Sequence, residues 1–257
     1  VRHYAWGGNQ SNSLDKHLVS RYVKVISSYD ELLDRQAEIA GNAWNYVQAS
    51  WYNNWTSYLI ESLFKRHERV IPATGEIKSV DFFIAGYPID LKVTFFPKQY
   101  MDGEMKNKWG KKELAWLKQK AKEAGIKTDN TLEESLQIYI LSEKLAETGR
   151  TDILGEWQAR RKEIIAEAQA DPAALMTWLY ANQGEMRFGA ENRLFVILAD
   201  TADLSQSWKM KRAFPLIEPK VNDYLNHFNE KSLKEYINME KLKLKSKDDL
   251  YYFIRII

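Results

Sequence analysis

Between Lys78 and Tyr100 the chain reads KSVDFFIAGYPIDLKVTFFPKQY, two β-branched and aromatic runs separated by Ala85-Gly86-Tyr87-Pro88. Two such runs joined by a short turn specify a β-hairpin. On the second strand the two-residue period sends Asp90, Lys92 and Thr94 to one face and Leu91, Val93 and Phe95 to the other. A polar side and a core side are thereby separated. The hairpin also folds Asp81, near the start of the first strand, back toward the second, so that two carboxylates and a lysine converge.

Carboxylates a few ångströms apart repel, which raises the pKa of one unless a cation intervenes. Mg²⁺ suits this donor set: it accepts one or two protein carboxylates and leaves its other positions to water and phosphate oxygens. Mn²⁺ is expected to substitute. The Lys92 ammonium can orient or help deprotonate an attacking water and stabilise charge developing on a phosphorane-like transition state. The competing reading is an exposed Asp–Lys pair on a hairpin, worth roughly a few tenths of a kcal/mol.

Asp81, an eight-residue gap and then Asp90-Leu91-Lys92 resemble the motif of the PD-(D/E)XK nuclease superfamily, to which many type II restriction endonucleases belong. The resemblance covers about residues 51 to 97 and extends more weakly to RLFVILAD, ending at Asp200. Val80 stands where the family commonly has proline, a position that ligates nothing. The resemblance implies a restriction-endonuclease-like α/β (α+β) fold with a mixed central β-sheet flanked by helices. It implies a Mg²⁺-dependent endodeoxyribonuclease acting on double-stranded DNA, with Asp81 and Asp90 as metal ligands and Lys92 at the attacking water. A homodimer cutting both strands of a palindromic target is implied as well. Alternatives are a nonspecific or structure-selective nuclease of repair or phage defence, and a non-catalytic DNA-binding protein on the same fold.

The family usually adds a glutamate on the helix before the first strand, and NNWTSYLIESLFKRHERV supplies Glu61 as the third catalytic and metal-binding candidate. Trp51, Trp55, Tyr58, Leu59 and Leu63 recur at helical spacing, and Glu61 falls just beyond the edge of that stripe. Glu68 and Glu76 compete for the role.

From Lys98 to Lys127 there are nine lysines against four acids. Because the segment follows the proposed catalytic strand, Lys98, Gln99, Lys106, Lys108, Lys111 and Lys112 are candidate DNA contacts. A solvated helix face explains the same lysines equally well. NQGEMRFGAENR places Asn182, Gln183, Arg187, Asn192 and Arg193 ahead of an apolar run, and SWKMKR puts Trp208, Lys209, Lys211 and Arg212 after it. These groups suit base edges or phosphates, but caps, salt bridges and a packed tryptophan suit them better.

At 257 residues and 45% hydrophobic composition the chain can bury one substantial core, and a single domain is expected. A catalytic core near 50–100 and 190–215 would carry a helical insertion at about 105–185. The absence of cysteine excludes disulfides and thiolate zinc sites. The four histidines are scattered without ligand spacing, and no glycine loop leads into GKS or GKT, so no nucleotide cofactor is expected. No apolar run approaches the length of a membrane span and no signal core precedes the first helix, so a cytoplasmic protein without a membrane partner is expected.

Ser28 to Glu68 reads as one long or two consecutive helices, with Ser28 as N-cap and Glu31 completing a capping box. Further helices are expected near 111–124, 131–147, 152–170 and 172–182. ENRLFVILAD has the pattern of a central strand buried on both faces, to be paired beside the Asp90 strand. A loop and helix, and a terminal strand in DLYYFIRII, complete the reading.

Overall fold

The computed structural model describes residues 18–74, 80–182, 193–228 and 253–256. The chain divides into two compact units, Val1–Tyr58 and Leu59–Ile257.

In the first unit, helix α1 (Tyr29–Asp34) starts where Ser28 Oγ accepts the Glu31 N–H at 3.2 Å, satisfying one of the free N–H groups of a helix start. Arg35 interrupts the helix, and α2 (Gln36–Lys65) follows, running on into the second unit. Of the apolar stripe expected from the sequence only Leu63 is buried, and its other four members are exposed. Tyr52, Thr56, Ile60, Leu63 and Phe64 are buried, while Trp51, Trp55, Tyr58 and Leu59 are exposed. Both stripes are apolar, so helical periodicity alone does not select between them.

The second unit is an α+β structure whose mixed sheet has the strand order β1 (Val70–Pro72), β2 (Phe82–Ile84), β3 (Tyr87–Phe95), β4 (Arg193–Leu198), β5 (Phe253–Ile256). β1, β2 and β3 pair antiparallel, and β4 lies parallel to both β3 and β5. The β2–β3 turn is tighter than expected. Ala85 (φ 50°) and Gly86 (φ 85°) form the whole connection, and Tyr87 and Pro88 already belong to β3. Positive φ at both central residues is the requirement of a type I′ turn, whose twist matches that of the strands.

A parallel neighbour cannot be reached by a hairpin and needs a crossover. Here that crossover is the helical insertion: α3 (Lys98–Trp109), α4 (Glu113–Glu123), α5 (Glu134–Glu147), α6 (Thr151–Ala170) and α7 (Ala173–Asn182). α3 was not anticipated by the sequence reading. It buries Tyr100, Met101, Asp102 and Met105 beneath a lysine-rich exposed side. These helices cover one face of the sheet through Phe195 and Ile197. The other face carries Leu194, Val196 and Leu198 against Ile60 and Phe64 of α2 and Ile217, Val221 and Leu225 of α8 (Phe214–Asn226). Every residue of β4 is buried, as its uninterrupted apolar run requires.

Candidate active site

Asp90 and Lys92 share one face of β3, and the parallel register sets Asp90 beside Arg193 and Lys92 beside Phe195. Asp90 is 5% exposed, whereas the Lys92 side chain is 47% exposed. Lys92 Nζ donates to Asp90 Oδ1 at 2.6 Å. On the other side of the carboxylate, Arg193 Nε lies 3.5 Å from Asp90 Oδ2. The Arg193 guanidinium sits over the Tyr180 ring at 5.6 Å, and the Arg193 N–H donates to the Tyr180 hydroxyl at 3.1 Å. A cation flanks each oxygen of one buried carboxylate.

Asp81 lies one residue before β2 and is half-buried. Phe82 pairs with Ile89, so continuing that register by one residue places Asp81 opposite Asp90. The Asp81 N–H donates to Ile89 O at 2.8 Å, and its carboxylate Oδ2 accepts the Leu91 N–H at 2.7 Å. One carboxylate oxygen of Asp81 is therefore held by the adjacent strand.

Burial pushes the Asp90 carboxyl above the usual aspartate range, and the negative charge of Asp81 adds to the rise; Lys92 and Arg193 counter both in part. A hard cation between the two aspartates would act in the same sense as Lys92. Two carboxylates of this kind fit Mg²⁺, which fills its remaining positions with water and phosphate oxygens.

Glu61 is not joined to this group. Its carboxylate pairs with Lys65 one turn along α2, and among the described residues no cluster of three or more histidine, cysteine, aspartate or glutamate side chains is arranged to hold a metal. Glu68 is exposed, and Glu76 lies outside the described residues.

The candidate DNA contacts divide. Gln99, Lys106, Lys112, Lys209 and Arg212 are exposed. Lys98 pairs with Glu134 at 2.8 Å, Lys108 bridges Glu163 and Glu167, and Lys111 bonds Gln119. Lys211, a candidate for which packing was the favoured expectation, is 5% exposed with its ammonium 5.3 Å from the Phe95 ring. Arg187 and Asn192 lie outside the described residues.

Arg193, for which the sequence favours a structural cap or salt bridge over a base or phosphate contact, makes a salt bridge whose partner, Asp90, is not evident from the sequence. Its only sequence signal is a cation opening an apolar strand, and its partner is about one hundred residues away in the chain. Comparisons with protein-family models, curated proteins and solved structures find no match.

Proposed function

We propose that this chain is a Mg²⁺-dependent endodeoxyribonuclease of the PD-(D/E)XK type, cleaving phosphodiester bonds of double-stranded DNA. The observation that supports it best is the grouping of Asp81, Asp90 and Lys92 across one hairpin, with Lys92 Nζ 2.6 Å from the buried Asp90 carboxylate. Asp81 and Asp90 would hold the metal, which when bound supplies charge neutralisation at phosphate and a more acidic water. Lys92 positions the attacking water through its remaining ammonium protons and offsets negative charge gathering on the phosphate oxygens. Its half-exposed position leaves the ammonium reachable by a substrate, while Asp90 beneath it fixes its direction. Arg193 braces the far oxygen of Asp90 and so sets the orientation of that carboxylate.

The test is incubation of long, unmethylated duplex DNA with wild-type protein and Lys92→Ala, each with Mg²⁺ and with EDTA. Discrete metal-dependent fragments, reduced at least about 100-fold in rate in the variant, are the expected result and would mark a sequence-specific restriction enzyme. A smear lost in the same variant would mark a nonspecific nuclease. DNA left intact in every lane sinks the reading of an endonuclease acting on unmodified duplex DNA and favours the non-catalytic one, or a modified, branched or RNA substrate.

A second reading rests on the same carboxylate. With Lys92 and Arg193 already flanking it, Asp90 is compensated by protein cations alone, as in a non-catalytic DNA-binding protein. Calorimetric titration with Mn²⁺ separates the two. Heat abolished by Asp90→Asn favours the nuclease, and no heat from the wild type favours the binding protein.

A further inference from the structure

From Ile39 to Ile60 helix α2 contains no aspartate, glutamate, lysine, arginine or histidine, although 28% of the chain is charged. Along this stretch Trp44, Val47, Trp51, Trp55 and Tyr58 are 48–63% exposed. No helix among the described residues is long and apolar enough to cross a membrane. A solvated helix normally carries charge on its outer face, and single exposed apolar residues are ordinary where a row of large rings is not.

The spacing of the row is symmetric. Counted from Trp51, the others lie at −7, −4, +4 and +7, all on one side of an α-helix. A stripe with that pattern is self-complementary when a second copy runs antiparallel across it about a two-fold axis at Trp51. Trp51 then meets Trp51 of the other copy, Val47 meets Trp55, and Trp44 meets Tyr58, each contact occurring twice as isologous symmetry demands. The small Val47 opposite the large Trp55 lets the two surfaces interdigitate. The row spans about 21 Å.

We propose that this face of α2 is the surface through which two copies of the chain associate as an antiparallel, two-fold symmetric dimer. Charge supports the choice of occupant. A helix face without a single cation has nothing to offer nucleic acid phosphates or anionic lipid headgroups, whereas an identical neutral face carries no repulsive term. Area supports it too: the exposed parts of the four rings alone come to roughly 500 Å², more than half of the ~800 Å² per partner in a standard interface. The neighbouring Asn45 and Asn54 side chains, both exposed, supply the polar rim. The inference stands independently of any chemistry at Asp90.

Sedimentation velocity of the full chain from about 0.5 to 50 μM, a range spanning ordinary dimer affinities, tests it. A dimer is expected for the wild type. Trp51→Glu sets two like charges against each other on the axis and is expected to raise the dissociation constant at least 100-fold, with an unchanged far-ultraviolet spectrum. Trp51→Ala, which introduces no charge, is expected to weaken the dimer about 10-fold and covers the case of a misfolded glutamate variant. A wild type that stays monomeric overturns the proposal, as does a dimer indifferent to both substitutions. A monomer that floats with phosphatidylcholine vesicles overturns it in favour of a neutral lipid surface.

Discussion

Asp90 holds Lys92 at 2.6 Å through one carboxylate oxygen and meets Arg193 at 3.5 Å through the other. The two cations differ in setting: Lys92 reaches solvent, while Arg193 is buried. Removing the buried partner leaves a carboxylate in the interior with one exposed counter-ion. Arg193→Met is therefore expected to destabilise the fold by about 3 kcal/mol, the lower end for a broken buried pair because Lys92 remains. Urea unfolding reads the loss directly, and an Asp90→Asn/Arg193→Met double variant should be less destabilised than the two single changes added together.

For the proposed metal-dependent nuclease, Glu61 and Asp81 make a discriminating pair of test positions. Because Glu61 is held by Lys65 and stands outside the aspartate pair, Glu61→Gln is expected to leave Mn²⁺ affinity within about two-fold of wild type. Asp81→Asn removes a charged donor and is expected to weaken binding by about 10-fold or more. Equal losses in the two variants on calorimetry would return Glu61 to the site.

Lys211 gives a pH signature. Burial lowers its ammonium pKa to about 8 from an ordinary value of 10.5. Between those values the unfolded chain holds the proton that the folded chain has released, so rising pH favours the folded state across this window. Relative to Lys211→Met, the wild type is expected to gain up to about 3 kcal/mol between pH 8 and 10.5. Paired denaturant titrations at the two ends of the window measure the gain, and a difference independent of pH would show that the side chain is not desolvated.

The helical layer has its own buried charge. Glu113, 2% exposed, accepts from Arg161 Nε at 2.6 Å and from Trp157 Nε1 at 2.8 Å through the same oxygen, and Asp102 Oδ1 accepts the Glu113 N–H at 3.1 Å. Glu113→Leu strands the Arg161 guanidinium and is expected to lower stability by about 3–5 kcal/mol. Adding Arg161→Met should restore much of it, as a smaller shift in the unfolding midpoint.

At the β2–β3 turn, Ala85 occupies a left-handed conformation that disfavours a β-carbon. Ala85→Asn creates the Asn-Gly pair preferred by this turn and is expected to stabilise by about 0.5–1 kcal/mol. Thermal unfolding that moves downward would mean the turn is held by its surroundings.

What the sequence made legible is what local pattern controls. The hairpin, the buried β4 run and the four insertion helices from Glu113 to Asn182 carry clear periods and breakers, and each falls close to its expected place. Helix α3 escaped because its buried residues, Tyr100, Met101, Asp102 and Met105, include a charge and lie in a lysine-rich stretch that reads as surface. On α2 apolar residues line both sides, so Leu63 is buried as expected while Trp51, Trp55, Tyr58 and Leu59 are not, and only contacts with Val70, Phe82 and the rest of that core choose Ile60 and Phe64. At the site, Asp81, Asp90 and Lys92 came from strand parity and one short turn. Arg193 did not, since its place beside Asp90 depends on a register set by the whole crossover.

That crossover also fixes an order of events during folding. The β2–β3 hairpin closes over a two-residue turn, so Asp81 and Asp90 can meet within the microseconds typical of hairpins. The β3–β4 pairing must wait until a loop of about one hundred residues has been closed, which the compaction of the intervening helices makes entropically affordable. Asp90 therefore gains its buried cation only once that long loop has closed, whereas its partner Asp81 is local to the hairpin.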